Sequence, residues 1–227
     1  MKAADRSRVK LNGREGTDYI NANFLSGLVR GSEKCYIATQ GPLESTIEDF
    51  WRMVWELNVS CVIMLTHEVE NGVLKCSKYW VENGESVDLQ NGLKLYCRQP
   101  HVNENDEIVA CIFDLTDSTK TIRVSQIHYV AWPDHGLPKS TLSFLKIIEL
   151  ADKLNYSRGI SIDFFPKIFI FLFFSPFIYV IFLKIGPLVV HCSAGLGRSG
   201  TFCVIHSALT KIKADLTEGI SEIPKSI

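Results

Sequence analysis

Residues 189–200 read Val-Val-His-Cys-Ser-Ala-Gly-Leu-Gly-Arg-Ser-Gly, and this stretch decides the fold. A short apolar run from Pro187 to Val190 has the composition of a central, buried strand. Beyond Gly197 apolar residues recur on one helical stripe, at Phe202, Ile205, Leu209 and Ile212. The stretch therefore predicts a strand, a tight loop and a helix in direct succession.

The loop between strand and helix has the chemistry of an anion site. Its backbone N–H groups can turn inward at the positive end of the helix, and its glycines let the backbone approach a ligand closely. Arg198 offers a planar fork that matches two phosphate oxygens. The predicted phosphate-binding residues follow one another along the loop: Ser193, Ala194, Gly195, Leu196, Gly197 and Arg198.

Cys192 lies at the start of this loop and is the candidate nucleophile. A free thiol has a pKa of about 8.5, and a helix N-terminus with neighbouring cations lowers that pKa by several units. The resulting thiolate can attack phosphorus and form a phospho-cysteine intermediate. The alternative is an inert buried cysteine in a chance pattern. The ordered His, Cys, Gly, Arg and Ser around one strand-to-helix transition favour the functional interpretation.

A second loop carries a candidate acid. Residues 131–138 read Ala-Trp-Pro-Asp-His-Gly-Leu-Pro, and two prolines with a glycine indicate a shaped loop rather than a helix or strand. Such a loop can close over a pocket and carry Asp134 with it. A carboxylic acid there can protonate a leaving oxygen and then act as base toward water. The alternative is a turn whose aspartate caps the next helix.

The rest of the chain predicts one mixed domain. Apolar residues at 47, 50, 51, 54 and 55 share a helix face, residues 61–65 read as a buried strand, and residues 93–130 contain three β-rich runs. Residues 140–154 have helical periodicity, whereas residues 1–35 are polar and predict loops. The fold class is therefore α/β or α+β around one sheet.

Composition narrows the partners and the compartment. The net charge of the whole chain is −1, so the chain as a whole has no electrostatic attraction to nucleic acid. The seven cysteines are odd in number and form no Cys-x-x-Cys pair, which argues against a disulfide framework and a zinc site. Reduced thiols predict a cytoplasmic protein, and the N-terminus lacks the apolar core of a signal peptide.

Several motifs in order carry a resemblance to a known family. Residues 191–200 match the pattern His-Cys-x-x-Gly-x-x-Arg-Ser-Gly, and residues 132–134 match Trp-Pro-Asp. Further matching stretches occur in the same order at residues 18–23, 36–43, 49–51 and 75–80. On these motifs the chain resembles the tyrosine-specific, non-receptor protein tyrosine phosphatases. The resemblance implies a twisted mixed sheet flanked by helices, and hydrolysis of phosphotyrosine on proteins.

The resemblance implies a role for each residue of the signature. Cys192 would be the nucleophile and phosphate carrier, Arg198 the phosphate clamp, and Asp134 the general acid and then base. Ser199 would donate a hydrogen bond to the sulfur and ease its departure. His191 would help to tune the thiol.

Four further residues would support these groups. Glu70 would orient Arg198, and Lys75 would contact the acid loop, to which Trp132 and Pro133 belong. The resemblance implies neither a metal nor an organic cofactor. It implies phosphotyrosine-containing proteins as partners, a monomeric state and no nucleic acid.

Three departures from the family pattern lead us to expect a single but incomplete domain over residues 1–227. The family's tyrosine-bearing segment before Asp5 and its glutamine-bearing loop after Thr210 have no counterpart here. About 25 residues, 160–184, interrupt the approach to Gly186, and 168–183 among them are apolar. This insert is open to three interpretations: a buried element, a short membrane-associated hairpin, or sequence foreign to the fold.

The departures leave alternatives to phosphotyrosine hydrolysis open. One is a phosphotyrosine-binding pseudophosphatase that holds its ligand without turning over quickly. Another is an inactive fragment, and a lesser one is a dual-specificity phosphatase.

Overall fold

The computed structural model describes residues 2–13, 18–90, 92–101, 107–134, 136–156 and 186–221. The predicted insert at 160–184, including the apolar run 168–183, lies outside the described residues.

A nine-stranded mixed sheet forms the centre of the described structure, in the order β1-β2-β3-β11-β4-β10-β9-β8-β7. A separate hairpin of two short strands, β5 and β6, stands beside it. In chain order the strands are β1 Arg8–Lys10, β2 Tyr19–Leu25, β3 Tyr36–Thr39, β4 Cys61–Met64, β5 Val69–Glu70, β6 Val73–Leu74, β7 Ser86–Asp88, β8 Lys94–His101, β9 Ile108–Thr116, β10 Thr121–Tyr129 and β11 Leu188–His191.

The four central strands, β3, β11, β4 and β10, run parallel. Val189 of β11 lies between Ile37 of β3 and Val62 of β4, so the strand is paired on both sides. All four residues of β11 are buried, which explains its continuous apolar sequence. Because parallel strands end at one edge of a sheet, the loops after β11, β4 and β10 meet there.

Helices cover both faces of the sheet, and their bounds confirm the sequence predictions. Helix α1, Ile47–Glu56, follows a 3₁₀ turn at Glu44–Thr46 and buries Phe50 and Trp51 in one apolar core. Helices α2, Thr141–Tyr156, and α3, Gly197–Ser221, pack on a second core that contains Phe144 and Phe202. In the part of the chain that is described, no helix is long and apolar enough to cross a membrane.

The prediction of loops throughout residues 1–35 was wrong, because β1 and β2 form an edge of the sheet. In β2 exposed Tyr19 is followed by buried Ile20, and Ala22 is also buried, so the apolar residues alternate instead of forming a run. The Asn23 amide donates to the hydroxyl of Ser7, the residue before β1, at 2.9 Å. Polar pairing of this kind gives an edge strand a loop-like composition.

Candidate active site

Cys192 is the first residue after β11, and only 4% of its surface is exposed. Burial alone would raise the pKa of its thiol, but the Ser199 hydroxyl and the backbone N–H groups of Ser199, Gly195 and Leu196 outweigh that effect. The net result is a pKa below that of a free thiol. Among the described residues the buried Ser199 oxygen has no hydrogen-bond partner other than the sulfur.

The loop keeps its shape through close backbone contacts. Gly195 has φ +73°, and a Cβ there would lie 2.4 Å from the carbonyl carbon and oxygen of Thr39. The Gly41 N–H donates to the Ser193 carbonyl at 2.9 Å. A side chain at Gly41 would in turn approach the Cys192 carbonyl to 2.9 Å. These contacts explain why the sequence places glycine at both positions.

Arg198, in the first turn of α3, is held by an acid and a hydroxyl. Its guanidinium makes a two-pronged ion pair with Glu70, with N–O distances of 2.6 and 2.9 Å. It also donates to the Thr66 hydroxyl and to the Trp132 carbonyl, both at 3.2 Å. Burial opposes the charge on Glu70, yet the contact with Arg198 keeps the pKa of that carboxyl below its ordinary value. Both partners are therefore charged and the fork is fixed in orientation.

Asp134 is positioned at the mouth of the same site. Its carboxylate lies 2.9 Å from Lys75 Nζ and 3.7 Å from Arg198 Nη2. The acid loop is closed at its base by the Lys139 N–H, which donates to the Ala131 carbonyl at 3.3 Å. Inside the loop the Trp132 indole donates to the Gly136 carbonyl at 3.0 Å. The loop thus presents its carboxylate toward the phosphate-binding loop.

His191 is fully buried behind the cysteine, and burial lowers the pKa of its imidazole to about 3, so it is neutral at pH 7. Gln126 Nε2 donates to the Tyr79 hydroxyl at 2.7 Å. The Tyr79 oxygen lies 2.8 Å from His191 Nε2, so the hydroxyl can donate to that nitrogen. The proton of His191 then lies on Nδ1, 3.3 Å from the Cys192 carbonyl. This chain of hydrogen bonds fixes the backbone on which the sulfur is carried.

Every sequence-predicted site residue falls in one neighbourhood, formed by the loops after β11, β4 and β10. Ser199 and Arg198 act on the Cys192 sulfur, and His191 contacts the Cys192 carbonyl. Glu70, Lys75, Trp132 and Asp134 contact one another or the guanidinium. Four other members of the set are exposed to solvent: Pro133, Ala194, Leu196 and Gly197.

Sequence reasoning missed three residues of this network: Thr66, Tyr79 and Gln126. Tyr79 lies inside the matched stretch 75–80, so that motif contained a signal for it. Thr66 lies two residues after β4, and Gln126 lies within β10. No local sequence pattern marks either residue. Their contacts with Arg198 and Tyr79 depend on strand pairing alone.

The arrangement combines a nucleophile, an anion cradle and an acid. The Cys192 sulfur, whose pKa is lowered, faces three backbone N–H groups and a fixed guanidinium, and a carboxylate lies within reach of the same space. Such a site can bind a phosphoryl group, attack it with sulfur and protonate the leaving oxygen. Among the described residues, no cluster of His, Cys, Asp and Glu could hold a metal ion.

Relatives with known sequences resemble the chain over most of its length. Tyrosine-protein phosphatase 2 of Dictyostelium discoideum is 38% identical over 205 residues, which is 88% of this chain and 45% of that protein. Human tyrosine-protein phosphatase non-receptor type 12 is 35% identical over 213 residues, or 92% of this chain and 24% of that protein. The chain thus spans less than half the length of either relative.

Solved structures agree with the sequence comparisons. The catalytic domain of human protein tyrosine phosphatase non-receptor type 18 has a TM-score of 0.74 and 31% identity, covering 93% of this chain and 66% of that one. A PTPN18 complex with HER2 phosphor-peptides has a TM-score of 0.76 and 30% identity, covering 95% of this chain and 65% of that one. The family described as Protein-tyrosine phosphatase matches residues 1–227. The chain therefore belongs to the protein-tyrosine phosphatase family.

Proposed function

We propose that this chain hydrolyses phosphotyrosine on proteins through a phospho-cysteine intermediate. The observation that carries the proposal is the Cys192 sulfur, buried yet with a lowered pKa, beside a guanidinium that Glu70 holds in place. An inert buried cysteine would have a raised pKa, as the other six cysteines have.

In the first step the thiolate attacks phosphorus. The S–P bond forms as the bond from phosphorus to the tyrosyl oxygen breaks, and protonated Asp134 gives its proton to that oxygen. The guanidinium of Arg198 and the N–H groups of the loop stabilise the charge on the phosphoryl oxygens. Lys75 and Arg198 position the Asp134 carboxyl for this transfer.

In the second step water attacks the phospho-cysteine. The Asp134 carboxylate accepts a proton from the water, the P–O bond forms, and the S–P bond breaks to release inorganic phosphate and the thiolate. The Ser199 hydroxyl donates to the departing sulfur, whose lowered pKa makes it a good leaving group. This step regenerates the starting enzyme without a metal or organic cofactor.

The proposed substrates are phosphotyrosine-containing proteins in intracellular signalling. PTPN18, a structural relative, is solved in complex with HER2 phosphor-peptides, which supports this class. A cytoplasmic location suits the chemistry, because all seven cysteines are free and the nucleophile must remain reduced. We further propose a single monomeric catalytic domain, into which residues 160–184 are inserted.

The test is hydrolysis of a matched pair of peptides that carry phosphotyrosine or phosphothreonine, by the wild type and by Cys192→Ser. We expect repeated turnover of the phosphotyrosine peptide by the wild type, and a loss of at least about 1,000-fold in Cys192→Ser, because the hydroxyl is a far weaker nucleophile. Equal activity of the two proteins would contradict the proposal.

Two other outcomes of the same assay would favour the alternatives. A burst of about one product per Cys192, followed by slow turnover, would indicate a chain that traps phosphotyrosine. Equal rates on both peptides would indicate a dual-specificity enzyme. Trypsin resistance of both proteins should be compared first, so that an unfolded preparation is not taken for an inactive site.

A further inference from the structure

Two histidine side chains extend the pairing of β4 and β10 beyond the ends of these strands. The last paired residues are Met64 and His128. Beyond this pair, His128 Nε2 lies 2.8 Å from the Thr66 carbonyl, and His67 Nε2 lies 2.8 Å from the Val130 carbonyl. The two rings stand edge to face with centroids 6.1 Å apart. Side-chain hydrogen bonds thus connect the two segments where the backbone ladder has stopped.

The direction of these hydrogen bonds follows from the acceptors. A carbonyl oxygen only accepts, so Nε2 carries the proton in both rings. Burial lowers the pKa of His128 to about 4, and this ring is therefore neutral at pH 7. His67 is exposed to solvent and belongs to neither apolar core. Among the described residues, the Val130 carbonyl is the only hydrogen-bond partner of the His67 ring.

The residues that His67 connects belong to the two halves of the site. Val130 immediately precedes the acid loop that carries Asp134, and the Val130 N–H is bound to the Glu107 carbonyl at 2.9 Å. The His67 backbone N–H donates to Glu70 Oε1 at 3.3 Å. Glu70 Oε1 is also the oxygen that accepts from Arg198 at 2.6 Å. One residue therefore contacts the root of the acid loop and the partner of the phosphate clamp.

We propose that His67 is a positioning residue, whose imidazole holds the root of the acid loop so that Asp134 stays at the mouth of the site. The inference rests on the proposed function, since it concerns how the general acid is held. Thr66, on the other side of the peptide bond, already contacts Arg198, so the segment is fixed at its inner end. The hydrogen bond of the His67 ring then links this fixed segment to Val130, which lies between β10 and the acid loop.

The kinetic test compares two aryl phosphates on His67→Ala and His67→Gln. Phenyl phosphate needs protonation of its leaving oxygen more than 4-nitrophenyl phosphate does, so a misplaced acid slows the first substrate selectively. We expect kcat for phenyl phosphate to fall about fivefold in His67→Ala, as the loss of one hydrogen bond implies, with a smaller change for the nitrophenyl ester. His67→Gln retains an N–H donor at similar reach, and it should restore the wild-type ratio of the two rates.

A double variant separates this role from a general loss of structure. In an Asp134→Asn background no acid remains to be positioned, so adding His67→Ala should change the phenyl phosphate rate by less than about 1.5-fold. An undiminished effect in that background would overturn the inference. So would a His67→Gln variant as impaired as His67→Ala.

Hydrogen exchange gives a readout that does not need activity. The backbone amides of Ala131, Trp132, Asp134, Gly136 and Leu137 should exchange faster in His67→Ala than in the wild type or His67→Gln, relative to the amides of the core strand β10. If the wild type and Cys192→Ser hydrolyse nothing, the proposed function fails and the exchange result still decides on His67. Identical exchange in all three proteins would refute the positioning role.

Discussion

Cys61 lies in β4, and Cys192 directly follows the neighbouring parallel strand β11. Both side chains belong to the same apolar core and are almost completely buried. Burial raises the pKa of Cys61 far above that of a free thiol. At Cys192 the pKa is lowered, although burial acts there too. The two thiols therefore differ in chemistry while sharing residue type, core and solvent exposure.

The difference lies in what each sulfur faces. Cys61 is the first residue of β4, and this strand pairs with β11 and β10 on its two sides. Cys192 stands one residue beyond β11, where the chain turns and the N–H groups of Gly195, Leu196 and Ser199 converge on the sulfur. A reactive thiol thus requires a position just past the strand end, where backbone donors are still unpaired.

Among substitutions that leave Cys192 in place, the largest effect should come from distorting the ring of backbone donors at Gly195. In Gly195→Ala the new Cβ would lie 2.4 Å from the Thr39 carbonyl group, and φ +73° is unfavourable for alanine. The loop must shift, so we expect at least about 100-fold loss of activity, the scale seen for one lost oxyanion donor. Steady-state hydrolysis of 4-nitrophenyl phosphate measures it.

Gly200→Ala is the matched control for this substitution. No atom lies within 4 Å of a Cβ at Gly200, which is inside α3 and has its N–H bonded to the Leu196 carbonyl. Alanine there should stabilise the helix by up to about 1 kcal/mol and leave the rate within about threefold of wild type. Equal damage from both substitutions would show that the contact with Thr39 does not shape the site.

A smaller effect should follow the loss of the Ser199 hydroxyl. Its interaction with the sulfur contributes to the lowered pKa of Cys192, so Ser199→Ala should raise that pKa by about one unit. The pH dependence of alkylation by iodoacetamide measures the shift. Phospho-cysteine hydrolysis should slow about tenfold, because a thiolate of higher pKa leaves less readily.

Ser207→Ala provides the comparison on the same helix. The Ser207 hydroxyl accepts from the Leu28 N–H at 2.6 Å and contacts a different part of the fold. Its loss should lower the free energy of unfolding by about 1 kcal/mol without moving the pKa of Cys192. A pKa shift as large as that of Ser199→Ala would remove the special role of the Ser199 hydroxyl.

The remaining effects concern the pH dependence of stability, and the first of them appears only in alkaline solution. Because the pKa of Cys61 is raised in the folded state, the unfolded chain loses this proton first, and stability falls as pH rises above about 8.5. At pH 10 one such thiol costs about 2 kcal/mol. Urea unfolding at pH 7 and pH 10 should show a smaller decline in the free energy of unfolding for Cys61→Val than for the wild type. The tyrosines ionise in both proteins, so their contribution cancels in this comparison.

Cys192 should act in the opposite direction. Its pKa is lowered in the folded state, so it contributes stability that is complete above about pH 8.5 and is lost as pH falls through its folded pKa. Cys192→Ser should therefore flatten the rise of stability with pH below 8.5. A variant with the same slope as the wild type there would contradict a lowered pKa.

The local sequence predicted the elements whose patterns are continuous. The apolar run before Cys192 predicted β11, and the stripes around Phe50 and Phe144 predicted α1 and α2, because burial of one face leaves a period in the sequence. It failed for β1 and β2, which bury few side chains and carry polar cross-strand contacts. It also gave no signal for Thr66, His67 or Gln126, whose partners come from other strands.

By itself the sequence determined which groups could do chemistry: a cysteine and an arginine separated by five residues, two of them glycine, and an aspartate in a loop that contains two prolines. Each of these two sets lies within a short stretch of the chain, so it can be recognised from the sequence before the fold is known. Tertiary structure decided that Glu70 reaches Arg198, that Lys75 reaches Asp134 and that Cys192, not Cys61, carries the lowered pKa. The physical reason is that parallel strands bring distant loops to one edge, where backbone donors are unpaired and charges lie close enough to act on a single sulfur.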